Sequence, residues 1–317
     1  MTLRGRPRWY KPDTGLAARM VFTIFLLGLV YVVFAFLLGT FLKIPLPLLV
    51  IGALLIGGIQ LFFADKIALG SMGAREVSEQ EAPQLHDMIG RLAMQANLPK
   101  PKIAIVNSSI PNAFATGRDK NHAVVAVTSG ILNQLSEPEL EGVIAHELTH
   151  VINRDMLVMT VATFFSMVIS LILQNLFWIG MFGGLGGGYG GGRRRNDEGE
   201  AIIVILALSA VAYFLSFVLI RALSRYRELA ADRGAALITG APQNLASALQ
   251  HISGAMNNAR IPQQDFRKAQ TVNALFIVPA LRGDSLQNLF STHPSTEVRV
   301  QRLLEMQRQM EQAGYLS

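Results

Sequence analysis

Cysteine is absent from the 317 residues, which excludes a disulfide framework, a thiolate metal site and a cysteine nucleophile. Any metal centre must therefore be built from His, Asp and Glu. Charge is also scarce: 16% of residues are charged and 51% hydrophobic, where an ordinary soluble domain carries about 25% charged residues. That balance points to a membrane protein. The net charge of +6 does not favour nucleic acid, because the basic residues cluster beside apolar segments and form no stripe interleaved with aromatics. No small-residue cleavage site follows the first apolar run, which far exceeds the roughly 7–15 residues of a signal h-region. It is expected to stay as an anchor.

Four apolar runs are present. Residues 18–42 and 45–64 each reach the length of about 20 residues that crosses a bilayer as a helix, with a tight hairpin about Lys43 and Pro45. Arg4, Arg6, Arg8 and Lys11 precede them and by the positive-inside tendency hold the N-terminus in the cytoplasm. Two more runs, residues 157–182 and 201–220, are separated by GGLGGGYGGGRRRNDEGE, a link too glycine-rich to bury a core and expected to be flexible. The chain thus divides into a tail and hairpin (1–65), a soluble part (66–155), a second membrane pair (156–220) and a second soluble part (221–317). The two soluble parts together make one domain of about 185 residues.

In the first soluble part, Ser78 with Glu81 reads as a capping box before Leu85, Met88, Ile89 and Leu92 at helical spacing. NLPKP, residues 97–101, ends that helix. KIAIVN (102–107) and HAVVAVT (122–128) read as short strands, with PNAFATGRDKN between them as a third strand or loop. Ser136 and Glu139 form a second capping box, with Pro138 tolerated in the first turn, so a helix should run from about 137 through at least Asp155. In the second soluble part, helices are expected over about 222–238, after Pro242, and after His293 and Pro294.

The helix from 137 carries the chemistry. His146, Glu147, Leu148, Thr149 and His150 spell H-E-x-x-H, and the i, i+4 spacing sets both imidazoles on one helix face, where they can reach one ion. A catalytic zinc uses three protein ligands and keeps its fourth position for water. A third ligand must come from elsewhere. Glu147 can take a proton from the water that the cation activates. The best third ligand lies in SRYRELAADRGAA, residues 224–236, where Glu228 and Asp232 share a helix face and alanines permit close packing. Glu228 would bind metal and Asp232 would hold a ligand histidine through its other ring nitrogen. The alternative is a solvated salt-bridge face of Arg225, Glu228 and Asp232.

HELTH, followed by SRYRELAAD, whose Glu228 lies 78 residues after His150, and later by STHPSTEVRVQRL, resembles the HtpX family of membrane metallopeptidases, relatives of the CAAX prenyl proteases. The resemblance covers nearly the whole chain. It implies an α-helical membrane protein of about four transmembrane helices with a mostly α, α+β zincin-like metallopeptidase domain carrying a small sheet. It further implies one zinc per chain on His146, His150 and Glu228, Glu147 as base, and proteolysis of membrane and misfolded proteins at the cytoplasmic face, in quality control and stress response. By the same resemblance His293 is a donor to the oxyanion of a tetrahedral intermediate, or else a capping or packing histidine. Asn112 belongs to a segment that in relatives lines the cleft as an edge strand for an extended substrate, or else makes a turn after Pro111. Asp155 either supports the metal site or ends the helix. His86, His122 and His251 lack carboxylate or metal-spaced partners and read as surface residues.

His150 lies about seven residues before the third run and Glu228 about eight after the fourth, about 10–12 Å along continuing helices. An active site close to the bilayer surface is expected. A transporter with an accessory domain is the main competitor, but no ionisable residue sits in the middle of a run, where ion pathways carry them. A silent zinc scaffold would not need Glu147 beside an open metal position.

Overall fold

In a computed structural model, residues 14–42, 45–178, 194–258 and 293–313 are described. Most of the Gly-rich link, with Tyr189 and Arg193, lies outside them. The described residues fall into two compact units.

The first unit comprises, among the described residues, 14–19, 62–157, 224–258 and 293–313. Its centre is a four-stranded mixed sheet of β1 (Ala74–Glu76), β2 (Lys102–Val106), β3 (Ala113–Thr116) and β4 (Val124–Thr128), in the order β1-β2-β4-β3. β2 pairs parallel to β4, with Lys102 opposite Val124, while β3 runs antiparallel to β4, with Ala113 opposite Val127. β3 is therefore an edge strand. Alternation along the strands splits the sheet into two apolar faces. Ile103, Val125, Val127, Ala113 and Ala115 join the larger core. It is filled by α3 (Pro83–Gln95), α5 (Glu137–Asn153) and α8 (Pro242–Asn258), with Val300 and Leu303 from α9 (Thr296–Gln312). Ala104, Val106, Phe114, Val124 and Ala126 form a smaller core with Met72, the last residue of α2 (Leu46–Met72). Burial on both faces is why β4 is apolar from Val124 to Val127.

Several local expectations shift. Ser78 and Glu81 do bond, Ser78 N donating to Glu81 Oε2 over 2.8 Å, but in a turn before α3, which starts at Pro83 with Ala82 as its cap. Pro83 explains the delay, since its fixed φ and missing N–H suit the first helical turn. The segment 113–116 is a third strand. β1 went unforeseen because three residues carry no periodicity. The box at Ser136 and Glu139 caps α5 as expected, with both reciprocal bonds made. α5 stops at Asn153, however, because Arg154 takes the left-handed conformation (φ 56°), and α6 (Asp155–Trp178) begins at the next residue. α4 (Ser129–Gln134) is a short link from β4 to α5.

The second unit, residues 20–61 and 158–223, is helical. It is drawn from α1 (Thr14–Leu42), α2, α6 and α7 (Arg194–Thr239). Among the described residues three helices are long and apolar enough to cross a membrane; Leu54–Gln60 with Asp65–Met72, bent by 43°, makes a fourth when taken as one broken span. The second span is thus bent, and its helix runs to Met72 instead of ending near 64. Inside this unit Leu27, Tyr31, Phe34, Ala162, Ile169, Ile205 and Leu223 pack together, and Tyr31 Oη donates to Ala162 O over 2.7 Å. Helix α7 starts at Arg194, so the polar end of the Gly-rich link is already helical. Its apolar stretch gives way at Arg221 to the polar segment that carries Glu228.

Candidate metal centre

Two glycines bring the helices of the site close. A side chain at Gly142 on α5 would strike the backbone of Leu245 on α8, and one at Gly234 on α7 would strike Thr149 on α5. With the buried Ala231, Ala235 and Ala236, this lets α7 lie against α5 at His146 and His150. Ligand atoms of His146, His150 and Glu228 lie within 4.8 Å of one another, and all three residues are buried. Glu228 is 4% and Asp232 3% exposed, which excludes the solvated salt-bridge face.

The three groups crowd together as donors to one cation would, with a different Glu228 oxygen facing each imidazole. His146 Nε2 and His150 Nε2 are 3.2 Å apart, Glu228 Oε2 is 3.5 Å from His146 Nε2, and Glu228 Oε1 is 3.6 Å from His150 Nε2. A tetrahedron with the usual zinc bond lengths has edges of about 3.3–3.5 Å. The ligand nitrogens converge because the opposite ring nitrogens are held: His146 Nδ1 is 3.0 Å from Asp232 Oδ1 and His150 Nδ1 is 2.6 Å from Asp155 Oδ2. Each of these carboxylates meets a buried arginine. Arg299 of α9 grips Asp232 with two hydrogen bonds, Nε to Oδ2 at 2.9 Å and Nη2 to Oδ1 at 2.6 Å. Arg227 Nε of α7 lies 3.2 Å from Asp155 Oδ1.

Proton affinities follow from this packing. Burial alone would push Glu228 up, but His293, His146 and His150 outweigh it and hold its carboxyl well below the ordinary range. Asp232 is likewise lowered against its burial, chiefly by Arg299 and His146. Burial works to lower His146, yet the bonds to Asp232 and Glu228 raise it to about 9. Glu147 is raised, first by burial and also by the charge of Glu228, over the opposing pull of both imidazoles and the Ala115 amide. A site already charged in this way trades protons for a cation when it takes one up.

Glu147 is placed by the sheet. Ala115 N, on edge strand β3, donates to Glu147 Oε2 over 2.9 Å, so the carboxylate stands between that strand and the helix. Asn112 is fully buried just before β3, where its N donates to Thr128 Oγ1 and its O accepts from Thr128 N, both at 2.9 Å. It pins the start of the edge strand to β4. His293 is buried with Nδ1 3.2 Å from Glu228 Oε2, while Ser295 caps α9 by accepting from Val298 N. His293 therefore belongs to the cluster around Glu228, and the helix cap is not its task.

Three histidines depart from expectation by having partners. His86 is partly buried with Nε2 3.0 Å from Val77 O. His122 and His251 are on the surface but meet carboxylates, Asp119 at 2.8 Å and Glu139 at 2.7 Å. Arg227 and Arg299 were the residues missed. In sequence they sit among other charges on polar helices; only the need of two buried carboxylates for counter-charges could have singled them out.

A model of the family described as "Peptidase family M48" matches residues 79–307. The chain is 52% identical over 304 residues to "Protease HtpX homolog 2" of Methanosarcina acetivorans, covering 96% of this chain and 99% of that protein. It is 51% identical over 300 residues to "Protease HtpX homolog" of Moorella thermoacetica, covering 95% and 97%. Among solved structures, the crystal structure of S. mikatae Ste24p shares the fold with a TM-score of 0.53 at 18% identity, over 87% of this chain and 62% of that one.

Proposed function

Because the chain belongs to peptidase family M48, within its HtpX group, we propose that this membrane metallopeptidase is a zinc-dependent endopeptidase that cuts membrane or misfolded proteins at the cytoplasmic face. The observation that carries the reading is the buried grouping of His146, His150 and Glu228, with approaches of 3.2–3.6 Å that use both Glu228 oxygens, beside a buried Glu147. Three N and O donors with both imidazoles held from behind are the donor set of a catalytic zinc. When bound, zinc supplies a Lewis acid that polarises the scissile carbonyl and lowers the pKa of a coordinated water to about 7.

The chain's own residues do the rest. Glu147 takes the proton of the attacking water and returns it to the leaving amine, a task suited by a carboxyl raised through burial. Asp232 orients His146. His293 donates to the oxyanion that develops on the scissile carbonyl. Substrate binds extended along β3, whose start Asn112 sets, adding its backbone hydrogen bonds to that edge. Removal of metal from the full-length protein in detergent should abolish cleavage of an unfolded protein substrate, and one equivalent of zinc per chain should restore it. Cleavage that persists without metal would end the proposal.

For orientation, the basic N-terminus and an even number of spans support a cytoplasmic site, although Arg193, Arg194 and Arg195 then lie outside, against the positive-inside tendency. His150 and Glu228 must meet at one ion, and an up-and-back helix pair returns the chain to the same side. Since the chain has no cysteine, Tyr189→Cys gives a single labelling site. A reagent that cannot enter the cytoplasm should label it in intact cells. Labelling only after lysis would show that the third and fourth runs do not fully cross.

A further inference from the structure

The two histidines of H-E-x-x-H are supported from different directions. His146 is held by Asp232 on a neighbouring helix, but the partner of His150 is Asp155, five residues along its own chain. An uninterrupted helix turns about 100° per residue, which would carry position i+5 about 140° around from i and away from its ring. The break at Arg154 removes that obstacle. Arg154 adopts φ 56° and ψ 38°, a conformation that residues with a Cβ rarely take. Its N–H returns to His150 O and Val151 O, closing α5, and α6 starts at once with Asp155. Asp155 is then buried with Oδ2 2.6 Å from His150 Nδ1 and Oδ1 3.2 Å from Arg227 Nε. Arg227 is itself buried and directly precedes Glu228 in α7. One turn of α7 thus presents both a metal ligand and the counter-charge for the carboxylate behind another ligand.

We infer that Asp155, locked by Arg227, is a positioning residue for His150. It accepts from Nδ1–H, which fixes the tautomer that turns Nε2 toward His146 and Glu228. Arg227, 3.2 Å from the other carboxylate oxygen, holds Asp155 in place behind the ring. The arrangement mirrors Arg299, Asp232 and His146. A buried guanidinium, a carboxylate and an imidazole stand in line behind each histidine of the motif, and the two guanidiniums come from different helices.

The inference rests on His150 being a ligand, and its test separates the two ideas. In the full-length protein in detergent, zinc affinity is measured by competition with a chromophoric chelator, and ligand geometry by the visible absorption of the cobalt form. Asp155→Ala should weaken zinc binding by roughly 10- to 100-fold and change the cobalt spectrum. Asp155→Asn keeps an acceptor for Nδ1–H and should recover part of that affinity, and it decides the matter should the alanine variant fail to fold. Arg227→Gln should also weaken binding, and its combination with Asp155→Asn should lose less than the two separate losses predict, because both act through one contact. Wild-type affinity and spectrum in Asp155→Asn and Asp155→Ala, even with a lower melting temperature, would overturn the inference and leave Asp155 a purely structural group. His150→Ala is the control: if it too binds zinc as the wild type does, the ligand assignment itself is wrong.

Discussion

A Glu147→Gln chain should hold about one zinc per molecule and cleave no substrate at a measurable rate. Glutamine matches glutamate in size and still offers an oxygen to the Ala115 amide that now bonds Glu147 Oε2 at 2.9 Å, so the edge strand and α5 keep their places. What it cannot do is accept a proton. A positioned general base contributes about 10²–10⁴-fold to rate, and activity should fall by at least that factor with metal content unchanged. His293→Ala in the same assay should keep its zinc and lose roughly 10²–10³-fold, the typical effect of removing one oxyanion donor. Substantial turnover by Glu147→Gln would remove Glu147 as the base, and unchanged turnover by His293→Ala would reduce His293 to a packing residue beside Glu228.

Glu228→Ala is expected to lose both zinc and activity. Without it only the two imidazole nitrogens 3.2 Å apart remain, one donor short of a catalytic zinc set. The loss goes beyond one bond, since Glu228 also faces His293 at 3.2 Å and Arg299 at 3.5 Å. Removing the carboxylate takes a counter-charge from the buried Arg299, which further disfavours a dication. Asp232→Asn keeps the shape of the residue behind His146 but weakens the charge-assisted bonds to His146 and Arg299, so zinc affinity should fall by roughly 10- to 100-fold. Elemental analysis after gel filtration separates these outcomes. An empty site in Asp232→Ala beside a full one in Glu228→Ala would reverse the two assignments.

The site was legible where chemistry is written at short range. The capping box at Ser136 and Glu139, the i, i+4 histidines and the Glu228 to Asp232 spacing are local patterns on helices, and each appears in the structure where the pattern puts it. The strands 102–106 and 124–128 were legible for the same reason, as β-branched runs between breakers. Features decided by tertiary contact were not. Arg299 lies 153 residues from His146, and nothing on α9 marks which of its charged residues turns inward. The left-handed Arg154 was hidden because a helix-compatible sequence continues through it. The extension of α2 to Met72 depends on packing against the sheet, which no count of apolar residues reveals.

The proposed ligand set also has an order of manufacture. A ribosome makes His146 and His150 first, then a membrane pair, then Glu228, and only 71 residues later Arg299. While the chain is being made, the first soluble part has H-E-x-x-H but neither its third donor nor the guanidinium that steadies Asp232. On the proposed ligand assignment, a nascent chain at that stage lacks the third donor that a catalytic metal site needs. On the same assignment the donor set is completed only when α7 has been made, and the guanidinium behind Asp232 arrives only when α9 has docked.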